Sequence, residues 1–114
     1  MAQLVYKIGQ RKHLFAVRQL APDPKDENYY VAGDLVAVYS STDATDVIRQ
    51  ARLKDSVRPP FVVVHVTGYM LALTHQGQEG FRVWVIESDE VIHEQYIMSL
   101  VDMVRAAWTV RKTQ

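Results

Sequence analysis

Two segments, Phe61-Val62-Val63-Val64-His65-Val66 and Phe81-Arg82-Val83-Trp84-Val85-Ile86, constrain this chain more than any other feature. β-Branched and aromatic residues fill both phases of their two-residue repeat. A strand with one wet face alternates apolar and polar residues, whereas a strand apolar in both phases must be covered on both sides. The chain therefore carries more apolar sheet surface than a single buried face needs.

The two phases can be followed through the surrounding sequence. Segments 61–66, 69–75 and 81–87 read as a three-strand meander, turned at Thr67-Gly68 and by the polar stretch 76–80. In that register Val62, Val64, Val66, Tyr69, Leu71, Leu73, Phe81, Val83 and Val85 share one face. Phe61, Val63, His65, Met70, Ala72, Arg82, Trp84 and Ile86 share the other. An alternative is one long strand over 61–75, bent at Gly68.

Upstream, residues 4–8 and 13–19 predict a hairpin around Gly9-Gln10-Arg11-Lys12, pairing Ile8 with His13, Tyr6 with Phe15 and Leu4 with Val17. Residues 21–28 hold two prolines and several acids and predict a loop. Strands follow at 29–32 and 35–39, with Gly33-Asp34 as a tight turn or a bulge. Ser40-Ser41-Thr42-Asp43 offers N-cap oxygens to a helix over 43–53, whose apolar stripe is Ala44, Val47, Ile48 and Ala51. If the segment 34–66 is a strand–helix–strand crossover, its two strands run parallel.

Beyond Ser88, no glycine or proline interrupts residues 89–114. Ile97, Leu100, Val101, Val104, Ala107 and Trp108 fall at helical spacing, with Asp89 and Glu90 at the start and Arg105, Arg111 and Lys112 near the end. The expectation is an α+β fold: an antiparallel or mixed sheet, built from a hairpin and a meander, with two helices. The long C-terminal helix would pack on one face, and residues 1–114 would form one domain.

Composition narrows the chemistry. Thirteen basic and thirteen acidic side chains cancel, so the chain lacks the global positive field of a sequence-independent nucleic-acid binder. With no cysteine there is no thiolate nucleophile, disulfide or cysteine-ligated zinc. The start of the chain lacks the pattern of a secretory signal. The uncharged run 59–78 is broken by Pro59-Pro60, His65, Gly68, His75 and Gln76, and reads as strands and a turn rather than a membrane span. A soluble, cytoplasmic protein is expected.

Catalytic patterns are sparse. His93-Glu94 lacks a second histidine four residues on, because position 97 is Ile, so the zinc-protease helix pattern fails. Asp89 and His93 fit an ion pair on the expected helix. His65 and His75 fall on opposite faces and would share neither a metal nor a proton. Arg49, Arg52, Lys54 and Arg58 are diluted by Asp43, Asp46 and Asp55 and read as a solvated helix face. The glycines match no phosphate-binding loop. Residues 34–64 look like the opening of a CBS-type nucleotide-binding repeat, but the downstream glycine, the Thr/Ser-x-x-Asp ribose motif and a second copy are missing, so no family is assigned.

Two functions are therefore expected from the residues. The first is a non-enzymatic module that self-associates, as a dimer, through the apolar patch Phe61, Val63, Met70, Trp84 and Ile86. The second is a small-molecule binder or small enzyme with a pocket between sheet and helix, lined by Tyr29, Tyr30, His65, Arg82 and Trp84. Neither requires a metal or a cofactor, a membrane or a nucleic acid.

Overall fold

A computed structural model describes residues 12–54, 57–66, 81–88, 91–97 and 107–113. Six strands form one antiparallel sheet: β1 (His13–Pro22), β2 (Tyr29–Ser41), β3 (Phe61–Val66), β4 (Phe81–Ile86), β5 (Ile92–Ile97) and β6 (Trp108–Arg111). Their order across the sheet is β5-β4-β3-β1-β2-β6. The single helix among the described residues, α1 (Ala44–Arg52), lies between β2 and β3 in the chain. The described residues are thus mostly β, a curled half-barrel with one short helix, and this overturns the expected α+β fold whose long second helix was to include Ile92–Ile97 and Trp108–Arg111.

The helix forms where its cap and stripe dictate. Asp43 holds extended backbone angles and its carboxylate accepts the Asp46 N–H at 2.7 Å. Ala44, Val47, Ile48 and Ala51 are all buried against the sheet. Because β2 and β3 both run antiparallel to β1 and flank it, they are parallel to each other, and α1 carries the chain across β1 between them.

Both phases of the apolar strands are buried, each by a different device. Phe61, Val63, Trp84 and Ile86 join Phe15, Val17 and Val57 beneath the apolar stripe of α1. Val62, Val64, Val83 and Val85 form a second cluster with Leu20, Ala32, Trp108 and Val110, on the side toward which the sheet curls. The two-phase pattern assigned these faces correctly; the covers are α1 and the sheet's own curl.

Among the described residues, β1 and β3 have partners other than the expected ones. The hairpin partner 4–8 lies outside the described residues, and both edges of β1 are already taken. Phe15 pairs with Tyr39 of β2 and with His65 of β3. β3 pairs directly with β4, Val62 opposite Val85 and Val64 opposite Val83; residues 69–75, the expected middle strand of the meander, lie outside the described residues. Of the two readings of Gly33-Asp34, the structure shows the bulge: the β1–β2 register slips between Val17 and Leu20 while β2 continues through.

The largest correction concerns the C-terminal helix. Ile92–Ile97 and Trp108–Arg111 are strands, and residues 98–106 lie outside the described residues. β4 is apolar on both faces and needs backbone partners on both edges. β3 satisfies one, and β5 satisfies the other, with Trp84 opposite Glu94 and Val85 opposite His93. β6 does the same for the start of β2, with Tyr30 opposite Val110 and Ala32 opposite Trp108. Trp108 and Val110 are buried and Thr109 and Arg111 exposed, a period of two rather than 3.6.

Candidate functional site

The curl brings the two outermost strands, β5 and β6, face to face along a polar seam. Val83 and Val85 pair with Gln95 and His93, so both β5 side chains project to the concave face. Gln95 bridges the gap as a strand would: its Nε2 donates to the Arg111 carbonyl, and its Oε1 accepts the Arg111 N–H at 3.2 Å. One side-chain amide thereby satisfies both backbone groups of an edge residue.

Beside it, Glu87 is held from several sides. Tyr30 donates its phenolic hydrogen to Glu87 Oε2 at 2.7 Å, and the Thr113 N–H donates to Oε1 at 2.9 Å. His93 Nδ1 lies 3.7 Å from Oε1 and contacts the Thr113 hydroxyl. A proton on Nδ1 leaves Nε2 free to accept from Gln95 Nε2 at 2.7 Å. Lys112 places its ammonium 5.0 Å from the centre of the Tyr30 ring.

The electrostatics fix what this seam can do. Burial pushes the Glu87 carboxyl up, but hydrogen bonds from Thr113 and Tyr30 and the nearby His93 outweigh it and hold the group below its ordinary range. Burial, reinforced by the carboxylate, pushes the Tyr30 phenol up to about 12. At neutral pH the pair is a carboxylate locked to a neutral phenol. A general base poised near 7 would need the opposite shift in Glu87, and an activated phenolate the opposite shift in Tyr30. The arrangement is a latch closing the curl.

A second cluster lies at the opposite end of the sheet, on the helix-covered face. His65 is only 4 % exposed, stacks on Phe15 with ring centres 5.2 Å apart, and meets the His13 ring edge-on at 4.8 Å. Phe15 in turn lies 6.1 Å from Trp84. Among the described residues, His65 Nε2 is buried without a hydrogen-bond partner. Burial, with the charges of His13 and Arg82 added, pushes its pKa down to about 4. His65 is neutral at pH 7 and enclosed, a packed residue in chemical terms. Arg82 faces Glu94 at 3.9 Å across β4 and β5.

The structure gathers some of the residues singled out by sequence and separates others. His65, Arg82 and Trp84 share the helix-covered face, while Tyr30 lies at the concave seam and Tyr29 pairs with Arg111 at the edge of β2. Phe61, Val63, Trp84 and Ile86 are each 0 % exposed under α1, so none offers surface to a second chain; Met70 lies outside the described residues. The space between sheet and helix is filled by Phe15, Val17, Val47, Ile48 and Trp84.

Asp89 and His75 lie outside the described residues, and His93 pairs with Glu87 instead. In the basic cluster, Arg49 is bound to Asp46 at 2.6 Å and Arg52 donates to the Ser88 carbonyl at 3.2 Å. Sequence reasoning missed Glu87, Gln95 and Thr113. The available signal was the alternation His93, Gln95 within 92–97, which places two polar side chains on one face of a strand.

No helix among the described residues is long and apolar enough to cross a membrane. Among the same residues no group of three or more His, Cys, Asp or Glu side chains is placed to hold a metal ion. Compared with protein-family models, with curated proteins and with solved structures, the chain matches none.

Proposed function

We propose that this protein is a non-enzymatic module that acts by associating with a second copy of itself. The observation that carries this reading is an apolar strip left on the sheet after both cores are filled. Leu14, Leu35 and Val38 are 51 %, 52 % and 54 % exposed, on neighbouring strands and the same face. Large apolar side chains gathered at one exposed place mark contact surfaces more often than catalytic ones. The ionisable groups support the same reading: Tyr30 and Glu87 are shifted away from neutrality in the directions that disable them, and His65 is neutral and enclosed.

Sedimentation equilibrium tests the proposal. The expected mass at high micromolar concentration is twice the chain mass of 13.1 kDa. A single-chain mass throughout the concentration range would overturn it.

A further inference from the structure

We infer that the polar seam carries an autoinhibitory contact: the side chains of Gln95 and Glu87 occupy the outward backbone groups of Arg111 and Thr113, and so keep the edge of β6 from accepting a further strand. The inference is independent of the self-association reading.

The ladder decides which backbone groups face outward. Tyr29 lies opposite Arg111 and Tyr30 opposite Val110, and the Lys112 N–H donates to the Asn28 carbonyl at 2.9 Å. In an antiparallel pair, successive residues turn their N–H and C=O groups alternately toward the partner strand and away from it. Lys112 turns toward the β2 side, so its neighbours Arg111 and Thr113 turn away. Groups turned away at every second residue are the ones to which an incoming strand bonds.

Side chains engage both of these residues. Gln95 Nε2 donates to the Arg111 carbonyl and Gln95 Oε1 accepts the Arg111 N–H at 3.2 Å, the pair of bonds that one residue of a neighbouring strand makes. Two positions on, the Thr113 N–H donates to Glu87 Oε1 at 2.9 Å. The spacing is that of a ladder, yet the partners come from β5 and from the residue that follows β4.

Each blocking side chain is itself anchored. Gln95 Nε2 donates to His93 Nε2 at 2.7 Å. Glu87 is fixed through its backbone N–H, which donates to the Val91 carbonyl at 3.0 Å, and through Oε2, which accepts the Tyr30 hydroxyl at 2.7 Å. A strand arriving at Thr113 has to displace an ionised carboxylate, held below its ordinary range by those hydrogen bonds and by His93. A charge directed at a strand edge is one of the devices by which sheets avoid edge-to-edge growth.

Gln95→Val removes both bonds to Arg111 and leaves a side chain suited to a strand. In dilute solution its Arg111 amide should exchange at least about tenfold faster than in wild type. At high micromolar concentration the variant should form larger, thioflavin-binding species than wild type while keeping its far-ultraviolet circular dichroism spectrum. Thr109→Val adds an apolar side chain at an exposed position of β6, leaves the bridge intact and should behave as wild type. Gln95→Met, close to glutamine in length, also loses both bonds and should associate as Gln95→Val does. Every comparison is with wild type at equal concentration, so the outcome does not depend on whether wild type is one chain or two. Folded Gln95 variants with the mass and thioflavin signal of wild type, or a Thr109→Val that associates as strongly as they do, would overturn the inference. Loss of the fold in both Gln95 variants would overturn it as well, by showing that the bridge supports the fold and does not merely block an edge.

Discussion

Acidification should weaken this protein through His65 before any carboxylate is protonated in bulk. In the folded chain the imidazole titrates at about 4, against an ordinary value of 6.5. The folded pKa lies below the unfolded one, so the unfolded chain takes up the proton first. Stability from the neutral ring is fully present above pH 6.5, is lost progressively as pH falls toward 4, and changes no further below that. With each tenfold difference in proton affinity worth about 1.4 kcal/mol, the whole effect is about 3 kcal/mol, of which about 2 kcal/mol is lost between pH 7 and pH 4.5. The cause is structural: the ring is 4 % exposed on Phe15, and its charged neighbours, His13 and Arg82, are both basic.

Urea unfolding of wild type and His65→Leu, repeated from pH 7 to pH 4.5, isolates this contribution, because every other titrating group cancels in the difference. At pH 7 the two should be close in stability, since the substitution removes a buried nitrogen that has no partner among the described residues. By pH 4.5 the variant should have gained about 2 kcal/mol on the wild type. Parallel dependences on pH for the two proteins would show that His65 does not carry the acid sensitivity.

Other consequences follow from the latch, the cap and the concave core. Tyr30→Phe deletes a hydrogen bond to a carboxylate and should cost about 1.5–3 kcal/mol in chemical denaturation; the double variant with Glu87→Gln should cost less than the sum of the two single changes. Asp43→Ala removes the acceptor for the Asp46 N–H and should cost about 1 kcal/mol, read as a lower urea midpoint at unchanged slope. Trp108→Ala opens the concave cluster and should cost about 3–5 kcal/mol; a thermal midpoint equal to that of wild type would remove β6 from the core.

Local chemistry explains which parts of this fold can be read from the residues. Asp43 and the stripe of Ala44, Val47, Ile48 and Ala51 specify α1 within a dozen positions, and the structure places the helix there. The assignment of Val62, Val64, Val83 and Val85 to one face and Phe61, Val63, Trp84 and Ile86 to the other needs only the two-residue repeat. Residues 92–97 and 108–111 are different. Glu94 and Gln95 favour a helix in isolation, and the spacing of Ile97 and Trp108 fits one. The competing demand comes from backbone edges that need partners: that of β4, with five residues between it and 92–97, and that of β2, far from 108–111 in the chain.

The seam was illegible for the same reason. Tyr30 and Glu87 are 57 residues apart and Glu87 and Thr113 are 26 apart, and only the curl of the sheet makes them neighbours. The expected interface failed on a subtler point. Phe61, Val63, Trp84 and Ile86 form an apolar face that does require a cover, but α1 supplies it from the same chain. Leu14, Leu35 and Val38 each read, taken singly, as an ordinary strand residue, and only the pairing of β1 with β2 gathers them into a strip.

Amide hydrogen exchange at two protein concentrations tests self-association at the exposed strip of Leu14, Leu35 and Val38 most directly. Leu14, Leu35 and Val38 stay half exposed on the sheet after both clusters are packed, and the self-association reading rests on them. Raising the concentration from the low to the high micromolar range should slow exchange within residues 35–41 while leaving α1 and β3 unchanged. Concentration-dependent protection appearing on α1 or β4, with none in residues 35–41, would contradict self-association through this strip.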